Sequence, residues 1–228
     1  LWGTPDNYSH FEMINSLMDE KVYTATDGPA NDTLTISYSL YPGGVDSVFL
    51  TLESILNWGT GNIDVDPMFV DSTNGNYHLL ATSQLINGGH PDSTDSDGTI
   101  ADIGAYPYLN SYSGPTWYIT EAGNDSTATG ASDDPFRSIQ SGINFSSDAD
   151  SVTVSAGTYV ENINFRGRGI KVVGEDQETT IIDGNQSGSV VNFSNGEDHT
   201  AVLSGFTITN GSGSQTLGTY NGGGINCT

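Results

Sequence analysis

Apolar residues recur along this chain in short bursts, not in the three-to-four-residue rhythm of amphipathic helices. Leu34-Thr35-Ile36-Ser37-Tyr38, Ser151-Val152-Thr153-Val154, Ile170-Lys171-Val172-Val173, Thr180-Ile181-Ile182-Asp183, Val190-Val191-Asn192-Phe193 and Phe206-Thr207-Ile208-Thr209 are short and β-branched, with Gly, Asn or Asp nearby. Such runs predict strands closed by turns. In the second half, Val152, Ile170 and Val190 fall about 18 to 20 residues apart, and Ile163, Ile181 and Phe206 make a second, looser series. Two interleaved series at that spacing predict successive coils of a solenoid, each burying its inward side chains against its neighbours. A sandwich would also give short strands, but clean two-residue hairpin loops are missing.

One segment breaks the pattern. Asp134 is placed to cap a helix with Pro135 as its first residue, and Phe136, Ile139 and Ile143 share one face, which predicts a short capping helix near 134–146. Gly142 counts against its stability. Before it come an edge strand, Trp117-Tyr118-Ile119-Thr120, and a polar loop from Glu121 to Asp133. Strand, loop and helix together make a lid for the open end of a solenoid. The polar stretch LNSYSGP over 109–115 separates the halves, predicting terminal coils and a closing region over 1–109, a linker over 110–115, and a cap with first coils over 116–228.

Charge removes whole classes of function. Against 28 Asp+Glu stand 5 Lys+Arg, a formal net charge of -23. Such a surface repels phosphate backbones and anionic membranes, so no nucleic-acid partner is expected. No apolar run approaches the ~20 residues of a bilayer span, so membrane insertion is not expected either. The single cysteine, Cys227, excludes an intramolecular disulfide and reads as a small buried hydrophobe. The chain begins at Leu1 without a visible signal peptide, as a mature fragment or an excerpt would.

The first half carries Gly61-Asn62-Ile63-Asp64-Val65-Asp66-Pro67-Met68-Phe69-Val70-Asp71, then Asn76-Tyr77-His78-Leu79, Ser83-Gln84-Leu85-Ile86-Asn87-Gly88-Gly89 and Asp97-Gly98-Thr99-Ile100-Ala101-Asp102-Ile103-Gly104-Ala105-Tyr106. The second carries Trp117-Tyr118-Ile119, Asp134-Pro135-Phe136, Val152-Thr153-Val154-Ser155-Ala156-Gly157-Thr158-Tyr159-Val160-Glu161-Asn162-Ile163 and Gly222-Gly223-Gly224-Ile225. These motifs resemble the large bacterial surface and secreted proteins with right-handed parallel β-helix, or pectin-lyase-like, repeats. The first set is similar to that family's C-terminal ending and the second to its N-terminal beginning. Pro107 departs from the family pattern, where an acid is usual, and Asn87 stands where Asp is common. The resemblance implies an all-β, extracellular protein made of two partial β-helices. Their coil edges, Leu1-Trp2-Gly3 at one end and Gly222-Gly223-Gly224-Ile225-Asn226-Cys227 at the other, would meet further coils of a longer chain or another copy stacked end to end.

Candidate chemistry is sparse. In Asp92-Ser93-Thr94-Asp95-Ser96-Asp97-Gly98-Thr99-Ile100-Ala101-Asp102, alternating acids before Gly could converge on Ca²⁺ through Asp95, Asp97, Thr99 and Asp102; the alternative is a solvated acidic turn. Asp64, Asp66, Asp71, Asn74 and Asn76 read as turn caps. A lyase would need Arg166, Arg168 or Lys171 as a base beside a cation, yet these read as solvated turn charges. Asp176 and Asp183 carry no hydrolase motif. His10, His78, His90 and His199 lack metal-ligand spacing. Asn162, Asn185, Asn192, Asn210 and Asn226 are placed to stack or to cap turns. Trp2, Trp58, Trp117, Tyr118 and Tyr220 are candidates for sugar stacking or for packing against coil ends. Two functions follow from different classes: a non-catalytic structural or adhesive surface protein able to form filaments, and a polysaccharide-binding or polysaccharide-cleaving module.

Overall fold

The structure, a computed structural model, describes residues 10–18, 32–50, 54–216 and 219–228, with 214–216 and 219–221 described by their backbone. Two compact units divide the chain, one from Leu1–Leu79 with Ser83–Leu109 and one from Leu80–Thr82 with Asn110–Thr228. Strands predominate, and the described residues hold a single short α-helix, so the protein is all-β.

In the first unit, β1 (His10–Ile14), β2 (Thr33–Ser37) and β3 (Ile55–Trp58) form a parallel sheet in sequence order. Met13, Ile36 and Trp58 occupy one register. Met13, Leu34, Ile36 and Tyr41 make a buried cluster, with Met18, Val48, Leu50, Leu56 and Trp58 packed against it. Past each strand the backbone turns through the left-handed region, at Asn15, Tyr38 and Gly61 with φ of 49°, 47° and 74°. A second parallel ladder follows at Leu17, Leu40 and Ile63. The corner between the ladders repeats its polar contact as well as its backbone. Ser16 N–H donates to Ser39 Oγ, and Ser39 N–H donates to Asn62 Oδ1, each 23 residues further on. An antiparallel pair, β4 (Phe69–Asp71) and β5 (Asn76–Leu79), comes next, its turn closed by the Asp71 carboxylate accepting from Asn74 N–H.

The second unit begins with β6 (Thr116–Ile119) and α1 (Ile139–Phe145). Three short strands follow, β7 (Ser151–Val154), β8 (Gly157–Val160) and β9 (Ile163–Asn164), each in a different sheet. The next three, β10 (Lys171–Gly174), β11 (Thr180–Asp183) and β12 (Val191–Phe193), extend those sheets in the same order. Then β13 (Val202–Ser204) and β14 (Thr207–Thr209) extend the first two. After an antiparallel pair, β15 (Ser214–Thr216) and β16 (Thr219–Asn221), β17 (Ile225–Cys227) extends the third. All three sheets are parallel. Val152, Val154, Tyr159, Ile163, Val172, Ile182 and Val191 are buried between them, so alternation along each strand directs one face inward.

The register corrects the series drawn from spacing. Val152 pairs with Val172, not Ile170; Ile181 lies between Thr158 and Thr207; Ile163 pairs with Val191, which pairs with Ile225. There are three ladders, not two. Turns of unequal length separate the passages, so apolar spacing reveals which side chains turn inward but not which strand lies alongside.

The helix starts later than Asp134-Pro135 predicts, with Ser138 as its N-cap. Sheet pairing claims the earlier residues: Phe136 N–H donates to Tyr118 O, and Thr120 N–H donates to Phe136 O. Asp134 instead accepts from Thr129 N–H. All seven helical residues are buried, against β6, β7 and β9. Gly142 is where this packing is tightest. A Cβ there would lie 2.7 Å from Val152 Cγ1 and 2.9 Å from Ile119 Cδ1. Gly to Ala in a helix ordinarily gains up to about 1 kcal/mol. Here Gly142→Ala is expected to lose about 1–3 kcal/mol through overpacking, measured by urea unfolding; a stabilised variant would refute the close approach.

Candidate functional site

Two carboxylates converge on the start of α1. Ile139 N–H donates to Glu161 Oε1 at 2.8 Å and Gln140 N–H to Glu161 Oε2 at 3.0 Å, satisfying amide groups that the first turn leaves unpaired. Asp125 Oδ1 accepts from Arg137 N–H, Ser138 N–H and Ser141 Oγ, and its Oδ2 from Ser138 Oγ at 2.6 Å. Burial pushes Glu161 up to about 7; the two amide donors act against this, and the neighbouring Asp125 charge adds to it.

The other end of the helix is met by cations. Arg168 Nη1 donates to Ile143 O, and Arg166 Nη1 donates to Asn144 Oδ1 at 3.1 Å. Burial, then the adjacent Arg166 charge, lowers Arg168 to about 9. Of the three expected solvated turn charges Lys171 is exposed, but the two arginines are corrected: both guanidinium groups are half-buried and held at the helix C-terminus, where free carbonyls favour positive charge. Between the two ends, Gln140 bonds Asn164 through both backbone groups and donates to Asn144, whose Nδ2 reaches Ala81 O. Among the described residues no buried side-chain nitrogen or oxygen lacks a partner. The network ties both ends of α1 to the strands around it.

The acidic turn of the first unit is similarly engaged. Asp102 is 4% exposed; its Oδ1 accepts from Asn87 N–H at 2.8 Å and its Oδ2 from Tyr108 N–H at 2.8 Å. Asp95 Oδ2 accepts from Asp102 N–H, and Asp97 Oδ1 accepts from both Thr99 N–H and Thr99 Oγ1. Burial raises Asp102 to about 7, against its two amide donors and with the charges of Asp95 and Asp97. Burial also raises Asp95, with Asp97 adding to the effect against the Asp102 amide. Among the described residues, no group of three or more His, Cys, Asp or Glu could hold a metal ion. Asn87 adopts a left-handed backbone with φ of 52°.

Other candidates occupy structural posts. Asp66, Asp71 and Asn76 cap turns by accepting from Met68, Asn74 and His78 N–H. Asp176 accepts from Glu178 N–H, and Asp183 accepts from Asn185 N–H and Asn210 Nδ2. His90 stacks edge-on with Tyr38, and His78 lies against Tyr106. Trp117 is 2% exposed among Tyr112, Phe136 and Phe145, which removes it as a sugar platform. An open groove of ≈ 450 Å³ runs past Asp148, Gly169, Lys171, Asp198 and Thr200.

Of the proposed assembly ends, Leu1, Trp2 and Gly3 lie outside the described residues. Gly222, Gly223 and Gly224 are tied inward: Ser189 Oγ donates to Gly222 O, Val190 N–H to Gly223 O and Val191 N–H to Gly224 O. Ile225, Asn226 and Cys227 form β17, the outermost strand of its sheet. Asn192 and Asn226, two of the asparagines expected to stack or cap turns, share a register with Asn164, which was not among them, and Asn226 Nδ2 approaches Asn192 Oδ1 at 3.5 Å. Cys227, expected to be buried, is exposed in β17, which has a neighbouring strand on one side. Sequence reasoning singled out Arg168 but not its role, and did not single out Glu161; these are the groups that fix the two ends of α1. No family model, characterised protein or solved structure matches the chain.

Proposed function

We propose that each unit is part of a right-handed parallel β-helix and that the protein is a rigid, non-catalytic module of an extracellular bacterial surface protein, acting as a spacer or adhesive. The observation that supports this most is the orderly advance of three parallel ladders in the second unit, each gaining one strand per passage. A stack of that kind has its bonding groups spent between neighbours and resists deformation along its axis. The carboxylates and guanidinium groups of the lid cap a helix, and those of the acidic turn hold backbone amides. Function then resides in length, stiffness and surface. The outermost strands β13, β14 and β17 are where further coils, or those of another copy, would continue the ladders.

Two measurements on one protein test the proposal. Spin labels at Thr158→Cys and Thr207→Cys, with Cys227→Ser, lie two strands apart in one sheet and should report a narrow distance near 10 Å. Incubation with anionic polysaccharides and Ca²⁺ should release neither unsaturated products nor new reducing ends. A broad distance distribution would remove the β-helix, and product formation would remove the non-catalytic assignment.

A further inference from the structure

We propose that Asn195-Gly196 is a site of spontaneous backbone modification, at which asparagine converts through a cyclic imide to aspartate and isoaspartate faster than at the chain's other described Asn-Gly pairs. The reaction needs an unhindered asparagine side chain, a following residue without a Cβ, and a backbone nitrogen free to rotate and attack. In it the Gly196 nitrogen bonds to Asn195 Cγ, the Cγ–Nδ2 bond breaks, and ammonia leaves with the amide proton. Water then opens the ring at either carbonyl. The balance is asparagine plus water giving an acid plus ammonia, with no other reactant.

Asn195 and Gly196 are both exposed, in a loop between β12 and β13 without regular hydrogen bonding. The Asn195 side chain has one long contact, from Ser194 Oγ at 3.4 Å, and among the described residues the Gly196 N–H is given to no acceptor. A Cβ at Gly196 would meet nothing within 4 Å, so the space for ring closure is open.

The other pairs are restrained. Gly75 N–H donates to Ser72 O while Asn74 Nδ2 is held by Asp71 Oδ2 at 2.6 Å. Gly88 N–H donates to Leu85 O, and Asn87 N–H is bound by Asp102. Asn210 Nδ2 is held by Asp183 Oδ2 at 2.8 Å, and Gly211 lies so near Gly223 that a Cβ would sit 1.7 Å from its carbonyl oxygen. The side chain of Asn221, before Gly222, lies outside the described residues.

Conversion would place new negative charge two residues from Glu197. The Glu197 carboxylate holds this loop to the preceding passage by accepting from Gly167 N–H at 2.7 Å and Asn195 N–H at 2.8 Å. Isoaspartate also lengthens the backbone by one carbon at that point. A long-lived surface protein would thus carry an age mark at one defined loop.

The test is peptide mapping of native protein aged at mildly alkaline pH, with isoaspartate scored by elution and by the mass difference between an amide and an acid. Asn195 is expected to convert at least about tenfold faster than Asn74, Asn87 or Asn210, the ratio that about 1.4 kcal/mol of restraint corresponds to. Unfolding in guanidinium should bring the four rates together. Gly196→Ala should slow the reaction in guanidinium as well, where the strain that φ of 85° imposes on alanine in the folded loop is absent. Equal native rates at the four sites, or a ratio that persists in guanidinium, would overturn the proposal.

Discussion

Replacing Trp117 by alanine is expected to cost about 3–5 kcal/mol of stability, the range for deleting a large buried aromatic side chain. Trp117 lies in β6 and is 2% exposed. Its ring centre is 5.2 Å from Tyr112, 5.7 Å from Phe145 and 6.3 Å from Phe136, so one indole joins the linker, the helix and the strand that closes the sheet. Its Nε1–H donates to Asp150 Oδ2 at 3.0 Å, and Asp150 in turn accepts from Ser147 N–H. Gly130 faces the ring so closely that a Cβ would lie 2.9 Å from Trp117 Cε3. Neighbours packed that tightly cannot collapse fully into a void, which keeps the cost toward the upper end. Trp117→Phe retains most of the apolar volume and loses the indole bond, for about 1–2 kcal/mol. Urea unfolding of the three proteins checks the series. If the alanine variant lost no more than the phenylalanine variant, the indole would not be the keystone of the lid.

The strands were legible because β-branched runs between turn residues state their conformation locally. Ser151–Val154 and Thr180–Asp183 match residue for residue, Val190–Phe193 and Phe206–Thr209 begin one residue early, and Leu34–Tyr38 and Ile170–Val173 are shifted by one residue at both ends. The pairing was not legible in the same way. Lys171 meets Ser151 on one side and Val202 on the other, across intervals of different length, and periodicity cannot resolve a ladder whose step varies. The regular corner of the first unit was hidden for another reason. Asn15, Tyr38 and Gly61 share a left-handed backbone but not a residue type, and Tyr38 is a residue that ordinarily avoids it.

The lid shows where local rules fail outright. A helix cap is sought within a few residues of the helix, and here Asp134 supplied a plausible one. The groups that do the work are 22 and 25 residues away, Glu161 for Ile139 and Arg168 for Ile143, delivered by the next passage of the chain. One cue was present: Glu161 is a lone acid between strands β8 and β9, whose Tyr159 and Ile163 turn inward, so its position is set by buried neighbours. In the acidic turn the sequence located Asp95, Asp97 and Asp102 together, but not that backbone amides would occupy their oxygens.

Those same carboxylates make stability rise on mild acidification. Glu161 is raised from 4.5 to about 7 and Asp102 from 3.8 to about 7, with burial the main cause in both. Below about pH 3 each is largely protonated whether the chain is folded or not, and neither opposes folding. As pH climbs toward 7, the unfolded chain ionises first while the folded protein still holds its protons, so the unfolded state is favoured progressively. Above about pH 7 the penalty is complete, on the order of 3 kcal/mol for Glu161 at about 1.36 kcal/mol per unit. The overall charge of -23 acts in the same direction, because acidification relieves repulsion across the whole surface. Glu161→Gln separates the two effects. Glutamine resembles the protonated acid and leaves the global charge almost unchanged, so the variant should gain on the wild type between pH 5 and pH 8 by a large part of that penalty. Urea midpoints at both pH values measure the gap, and a gap that does not change with pH would mean that the Glu161 carboxylate ionises freely beneath the helix.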